Sequence, residues 1–270
     1  MRETSFLAPD NFKIPSLNGL VLTRNGERLL ESCLRSLSFC SEVLVVDSES
    51  EDRTRDIAES LGARVLVRPW EGPLPQFRFA LANISGVWAL SLDQDECVSP
   101  ELERSLRAFF AAGPGQDLAG CYCSRRSFYF DRFLRRSGWY PDYLLRLFRV
   151  GAMEVKASGP HYSFHPQGPT GRLSGDIVHY PYANLSEHIE KINYYTQAAA
   201  AELYAKGARP SVAGAFGHGL ARFAKLYLFK RGFLDGRAGL ILAVHGFFYA
   251  FHKYLRAVEL ELQARSNRGG

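Results

Sequence analysis

The chain contains no apolar run of the ~18 residues that a membrane-spanning helix requires, so no spanning segment is expected. Its opening residues, Met1-Arg2-Glu3-Thr4-Ser5-Phe6, carry no apolar signal-peptide core, and the expectation is a protein that is not secreted. There is no CxxC pair and no His/Cys spacing of the kind that binds zinc. The five cysteines are an odd count, which argues against a disulfide scaffold and for reduced, buried thiols. Cys121 and Cys123 fall on one face of an expected strand, too close in sequence for an ordinary disulfide. Internal repeats and low-complexity tracts are also missing. What is present is ordinary for a globular protein: 270 residues, 46% hydrophobic and 23% charged, enough for one good core with an appended subdomain.

Net charge is small in the first 200 residues, which net −2, whereas residues 201–270 hold 11 Lys/Arg against 4 Asp/Glu, a net of +7. A basic tail attracts nucleic acid or an anionic membrane surface. Here Arg222, Lys225, Lys230 and Arg231 interleave with Phe223, Tyr227 and Phe229. A helical stripe of Leu240, Val244, Phe247, Phe248, Phe251, Leu255 and Val258 follows. Such a stripe serves either a helix packed on a catalytic domain or a helix pair lying on an anionic bilayer. No RNA- or DNA-binding module is recognisable, so a nucleic-acid partner is not expected.

The first hundred residues alternate short apolar runs with helical patterns. Strands are expected at Leu17–Leu22, Val43–Val46, Arg64–Val67 and Val87–Leu92. Helices are expected around residues 29–37, 52–61, 77–84 and 100–110. This alternation predicts an α/β fold, a mostly parallel central sheet with helices on both faces. Ligands of such sheets bind outside the carboxyl ends of the strands, which puts Thr23–Glu27, Asp47–Asp52, Arg68 and Asp93–Glu96 on one rim. Residues 118–149 read as further strands, 151–175 as a Gly/Pro-rich loop with short strands, and 185–204 as a helix.

The most telling segment is Leu90-Ser91-Leu92-Asp93-Gln94-Asp95-Glu96. In an extended segment residues i and i+2 point the same way, so Asp93 and Asp95 are expected to face one ligand together. Two such acids repel unless a cation joins them, and a hard divalent ion, Mg²⁺ or Mn²⁺, bound with a substrate diphosphate suits them.

Several motifs recur in a fixed order: Leu22-Thr23-Arg24-Asn25-Gly26-Glu27, Val45-Val46-Asp47 through Arg53-Thr54, Arg68-Pro69-Trp70-Glu71-Gly72 and Leu92-Asp93-Gln94-Asp95-Glu96. Trp139-Tyr140-Pro141-Asp142, Leu145-Arg146-Leu147-Phe148-Arg149, His179-Tyr180 and Arg231-Gly232-Phe233-Leu234-Asp235-Gly236 complete the set. In this the chain resembles the family-2 inverting glycosyltransferases of GT-A fold, and most of all their lipopolysaccharide-core glucosyltransferase branch. The resemblance implies that Thr23, Asn25 and Glu27 line a nucleotide pocket and that Asp47 meets uracil or ribose. It gives Arg68 to the diphosphate, and Asp93 and Asp95 to the metal and pyrophosphate. Asp47 and Asp142 also suit plain turn or capping roles.

An inverting transfer needs a base for the acceptor hydroxyl, and Asp142, flanked by Tyr140 and Tyr143, is the first choice. Relatives carry a His-Glu pair where this chain has His161-Tyr162. Were that Glu the base, this chain would lack it and would be a nucleotide-sugar or carbohydrate-binding protein of the same fold. His161 and His179 are further candidates for metal or phosphate contact. Two other departures are Gly26, where an acid is usual, and Gln76-Phe77-Arg78 in place of a Gln-basic-Asn run. The expected organisation is an N-terminal extension (1–16), a GT-A catalytic domain (17–184) and a basic helical region (185–270). The expected partners are a nucleotide-diphospho-sugar, a glycolipid or oligosaccharide acceptor and an anionic membrane surface, with the protein peripheral on the cytoplasmic face of the inner membrane.

Overall fold

A computed structural model describes residues 12–115, 117–158 and 161–267. In chain order the elements are β1 (Ile14–Thr23), α1 (Leu30–Arg35), β2 (Cys40–Asp47), α2 (Thr54–Ser60), β3 (Arg64–Val67), α3 (Pro73–Ala82), β4 (Trp88–Asp93), β5 (Glu96–Val98) and α4 (Pro100–Ala111). They continue with β6 (Gly120–Tyr129), β7 (Arg132–Phe133), β8 (Asp142–Arg149), β9 (Met153–Ser158), β10 (His161–Pro166), β11 (Thr170–His179), α5 (Leu185–Ala205), α6 (Val212–Ala224) and α7 (Gly236–Ser266). The chain divides into two compact units. One comprises the described residues up to Arg125 together with Tyr143–His179, the other Arg126–Asp142 together with the described residues from Tyr180 onward.

The first unit is built on a sheet of order β3-β2-β1-β4-β8-β6-β11-β5. β3, β2, β1 and β4 pair in parallel. β8 then joins β4 antiparallel, and β5 pairs antiparallel with β11. The sheet is thus mixed, its parallel half being the βα-alternating first hundred residues. Alternation along each strand divides the core. Leu17 and Val21 of β1, Val45 of β2 and Trp88, Leu90 and Leu92 of β4 face α1, α2 and α4. Leu20 of β1 with Leu44 and Val46 of β2 face Phe77 and Ala80 of α3. Among the described residues, α3 is the helix packed on this second face. The rest of its cover is the β9–β10 hairpin, through Val155, Tyr162 and Phe164.

α4 shows how local sequence sets the elements. Ser99 accepts from the Leu102 amide at 3.2 Å, Pro100 starts the first turn, and Glu101 and Glu103 lie at its positive end. Gly175 of β11 has φ +91, and a Cβ there would run into the backbone of Glu101 and Leu102. Only glycine lets this strand approach the helix so closely.

Residues 151–175, expected as loop with short strands, hold β9, β10 and the first half of β11. The Pro and Gly residues that suggested a loop sit where strands can bear them: Pro166 ends β10, Gly168 has φ 150 in the following turn, and Gly175 makes the close approach to α4. The helix expected from Phe77 instead begins at Pro73, since proline is well suited to the first turn. All five cysteines are unpaired, and Cys121 and Cys123 are buried together in the core.

The second unit is mainly helical, with β7 folded back on the end of β6. α7 buries Ala238, Gly239, Leu242, Ala243, Ala250 and Ala257, a small-residue face that allows close backbone approach. Its bulky stripe is not the packed face: Leu240, Val244 and Phe248 are 42%, 36% and 44% exposed. Phe247, Phe251, Leu255 and Val258 are partly buried, Phe247 packing where Gly219 of α6 has no Cβ. No helix among the described residues is long and apolar enough to cross a membrane.

The Arg231–Gly236 motif serves this unit structurally. Asp235 is buried, and its carboxylate accepts from the Arg135 and Arg136 amides at 3.0 Å each and from the Ser137 hydroxyl at 2.9 Å. Gly232 is needed because a Cβ there would stand 2.7 Å from the Leu226 carbonyl and 2.9 Å from Ser137 Oγ.

Candidate active site

The parallel register brings four strand ends level. Thr23 pairs with Asp47, Asp47 with Val67, and Leu22 with Asp93. Thr23, Asp47, Arg68 and Asp93 therefore share one rim, as expected from the sequence. Their side chains differ in what they face.

The loops after β1 and β2 interlock. Asn25 Oδ1 accepts from the Glu51 amide at 2.9 Å, and Glu27 Oε2 accepts from the Arg53 amide at 3.1 Å. In return the Asn25 amide donates to Ser50 Oγ, the Gly26 amide to Thr54 Oγ1 and the Glu27 amide to Asp52. Asn25 and Glu49 hold positive φ angles of 48 and 57 in these loops, a backbone held in sparsely populated space. Asp47 is wholly buried and accepts from both the amide (2.9 Å) and the hydroxyl of Ser50. Its carboxylate thus caps its own loop, the plain role that its sequence position also allowed.

Thr23 donates to Gln94 Oε1 at 2.5 Å, the Arg24 amide donates to the same oxygen at 3.0 Å, and Gln94 Nε2 returns a bond to the Arg24 carbonyl at 3.3 Å. Gln94 clasps the β1 and β4 loops. A Cβ on Gly26 would stand 2.7 Å from both Gln94 Oε1 and Thr23 Oγ1, so the glycine that replaces the usual acid leaves room for this clasp. Arg68 pairs with Glu71 and lies 5.1 Å over the Phe79 ring. Gln76 is fully buried and donates to Ser48 Oγ (2.9 Å) and the Arg68 carbonyl (3.2 Å), tying the β2 and β3 ends together.

Asp93 and Asp95 have different protein partners. β4 ends at Asp93, Gln94 and Asp95 form a turn, and β5 begins at Glu96, so the strand alternation that would align the two acids stops between them. Asp93 Oδ2 accepts from Arg146 at 2.7 Å and Oδ1 from the Tyr162 hydroxyl at 2.9 Å. Arg146, only 4% exposed, also holds Glu96 Oε1 at 2.8 Å and reaches Tyr162 at 3.1 Å, while Arg125 meets Glu96 at 3.1 Å. Burial alone would raise the Asp93 carboxyl, but Arg146 and Tyr162 overcome it and hold it below the usual carboxylate range. Glu96 is wholly shielded; burial dominates there and pushes it up in spite of Arg146. Tyr162 is thus a hydroxyl donor to Asp93, its own titration driven up by burial.

Asp95 lies beside His179, at the end of β11, with Oδ2 and Nε2 3.7 Å apart. Among the described residues no group of three or more His, Cys, Asp or Glu side chains is placed to hold a metal ion alone. One carboxylate and one imidazole do fit an ion whose other ligands are a substrate diphosphate and water, since Mg²⁺ and Mn²⁺ usually keep waters and bind through one or two carboxylates. Asp142 opens β8 and belongs to the second unit. The backbone of His161 pairs with Ser158 in the β9–β10 hairpin; its side chain lies outside the described residues.

The model of the family described as "Glycosyl transferase family 2" matches residues 20–165, the segment that carries Thr23, Asp47, Arg68, Asp93 and Asp95. The chain belongs to glycosyltransferase family 2. It is 29% identical over 251 residues to the lipopolysaccharide core biosynthesis glycosyltransferase LpsC of Rhizobium meliloti, covering 88% of this chain and 90% of that one. An uncharacterized glycosyltransferase of Rickettsia bellii is 29% identical over 263 residues, 93% of this chain and 88% of the other. Among solved structures, glucosyl-3-phosphoglycerate synthase from Mycobacterium tuberculosis, seen with UDP and Mn²⁺ or Mg²⁺, matches at 25% identity and a TM-score of 0.34. That match covers 43% of this chain and 44% of the synthase. By its family and by the sheet described above, the glycosyltransferase is of GT-A-like α/β fold, with a mixed sheet and long C-terminal helices.

Sequence reasoning missed Gln94 as a clasp and the Arg146–Glu96 pair beneath Asp93. A signal for Arg146 was present: an arginine inside the apolar run Leu144-Leu145-Arg146-Leu147-Phe148 must find a partner if the strand is buried.

Proposed function

We propose that this glycosyltransferase moves a hexose with inversion from a nucleotide diphosphate, most simply a UDP-hexose, to a sugar on a glycolipid of the lipopolysaccharide-core kind. The donor side rests on one observation: Asp95 and His179 stand side by side at the rim where four strand ends meet. These two residues would hold a divalent ion, and an ion there supplies positive charge against the diphosphate as the nucleotide leaves. Arg146 and Tyr162 keep Asp93 ionised and fixed under this rim, where it is 40% exposed and open to a ribose or diphosphate contact. Thr23, Asn25, Glu27 and Asp47 act by shaping the interlocked loops around the nucleotide, and Arg68 by adding positive charge at the β3 end. Asp142 is assigned as the base that takes the acceptor proton.

The acceptor class is supported by the likeness to LpsC over nearly the whole chain. A membrane-surface position fits the exposed apolar side chains of the second unit. Leu228, Phe229, Phe233 and Leu234 are 48–81% exposed, with Lys230 and Arg231 among them in sequence and Lys225 and Arg237 on either side. A second reading is favoured by Tyr162 standing where relatives carry Glu: a protein that binds the donor without transferring its sugar.

One experiment tests both. Nucleotide sugars are screened on the full chain for thermal stabilisation and for transfer, with and without Mn²⁺. A donor at a hundred times its Kd should add about 2.7 kcal/mol, and Asp95→Ala should abolish the Mn²⁺-dependent part. Stabilisation without turnover would establish the binding protein. Equal stabilisation of Asp95→Ala, or none with any donor, would sink the proposed site.

A further inference from the structure

The second unit has a cavity of its own, about 150 Å³, whose wall is carried by two helices in register. His188, Lys191 and Tyr195 project from α5, and His245 and Tyr249 from α7, with Trp139 closing one side. The spacings of three, four and seven residues place each set on one helix face. Arg222, exposed, lies at its edge, and no carboxylate is among the lining residues.

The two histidines share an unusual contact. Their Nδ1 atoms are 2.7 Å apart, and the Tyr129 hydroxyl lies 2.9 Å from one and 3.2 Å from the other. Burial, with His245 and Lys191 adding to it, takes His188 down to about 4, and burial also lowers His245, so both rings are neutral near pH 7. A contact between two Nδ1 atoms requires a proton on one and a lone pair on the other. Each neutral imidazole carries one N–H. The ring that donates through Nδ1 therefore has a bare Nε2, and its neighbour carries its proton on Nε2. The pair leaves one acceptor and one donor, fixed by stacking of His188 on Tyr182 at 4.2 Å. Vicinal hydroxyls of a sugar offer the matching donor and acceptor.

We propose that this cavity binds a single anionic sugar unit, its hydroxyls read by the His188–His245 pair, its ring against Trp139 and Tyr249, and its phosphate or carboxylate toward Arg222 and Lys191. The volume lies below the ~300–1,000 Å³ of sites for drug-sized ligands, which limits the occupant to one ring. Lys191 is partly neutralised by Glu187 at 3.1 Å and donates to the Pro181 carbonyl at 2.8 Å, so the exposed Arg222 carries most of the charge recognition. The inference stands apart from donor chemistry and is tested without nucleotide.

The full chain is titrated with glucose, glucose 6-phosphate, glucuronic acid and inorganic phosphate, read by calorimetry and by histidine ring NMR signals. At least one charged sugar should bind tenfold more tightly than glucose and shift the His188 and His245 signals, and its phosphate or carboxylate tells which anion is preferred. Arg222→Met should reduce that preference to threefold or less. His245→Phe, with unchanged circular dichroism, should weaken charged and neutral sugar alike by tenfold or more. No sugar moving those signals, or inorganic phosphate matching the charged sugars, would overturn the proposal. If His245→Phe unfolds, the NMR shifts in the unmodified chain decide by themselves.

Discussion

Replacing Arg146 by Met keeps most of the stem and deletes a guanidinium that touches three groups: Asp93 at 2.7 Å, Glu96 at 2.8 Å and Tyr162 at 3.1 Å. Arg146 is 4% exposed and Glu96 not at all, so the loss leaves a shielded carboxylate with Arg125 alone as its cation. Removing one partner of a buried ion pair costs about 3–5 kcal/mol, much of it the stranded charge. At ~2–4 °C per kcal/mol for a unit of this size, Tm should fall by roughly 6–20 °C. Urea denaturation followed by tryptophan fluorescence gives the same quantity as a midpoint shift, Trp88 being in this core. Glu96→Gln in the Arg146→Met background removes the stranded charge and should recover part of the loss; the double-mutant cycle isolates the coupling. Arg146→Lys should not rescue, because an ammonium cannot fork onto two acids as the guanidinium does. A loss under about 1 kcal/mol, the range of a surface pair, or strict additivity of the two changes, would refute the network as the support of the rim.

Gly26→Ala should destabilise by about 1–3 kcal/mol through overpacking against Gln94 and Thr23, and Gln94→Ala should restore much of it; independent effects of the two would rule out the shared space. Asp235→Ala strips two amides and a hydroxyl of their acceptor and should cost roughly 2–4 kcal/mol, measured by thermal unfolding, with little change expected if the turn at Arg135–Ser137 has another anchor. The buried His188 sets a pH response. Its folded value of about 4 lies below the ~6.5 of the unfolded chain, so the unfolded state takes the proton first and stability falls as pH drops from ~6.5 toward 4. His188→Gln should flatten that part of the urea-midpoint profile, and an unchanged slope would contradict the assignment. Phe229→Ser with Phe233→Ser should weaken flotation with anionic vesicles while leaving neutral vesicles unaffected; equal flotation would remove the membrane reading of this surface.

The order of strands and helices in the first hundred residues was legible because each element there is made from a local period: apolar runs for buried parallel strands, three-and-four spacing for helices. The same periods located the rim, since a ligand edge at the carboxyl ends follows from parallel pairing alone. Strand alternation stops at Asp93: past it a turn gives Asp95 to His179 while Asp93 meets Arg146 and Tyr162, and a turn of two polar residues has no period to betray it. The Gly/Pro content of residues 151–175 hid the extent of its short strands, because their pairing partners supply the order that the segment's own composition does not.

Sequence by itself determined the family, the parallel half of the sheet and which loops share an edge, because these depend on patterns within a few residues or on motifs in fixed order. Only tertiary structure decided what each charge faces. Arg146 finds Asp93 53 positions away and Glu96 50 positions away, and Asp95 finds His179 across the β5–β11 pair. It also decided that α7 packs by its alanines and glycine and leaves Leu240, Val244 and Phe248 outside. A helix pattern shows where apolar bulk lies; which face is buried depends on how closely the neighbouring backbone comes, and that is a property of the folded chain.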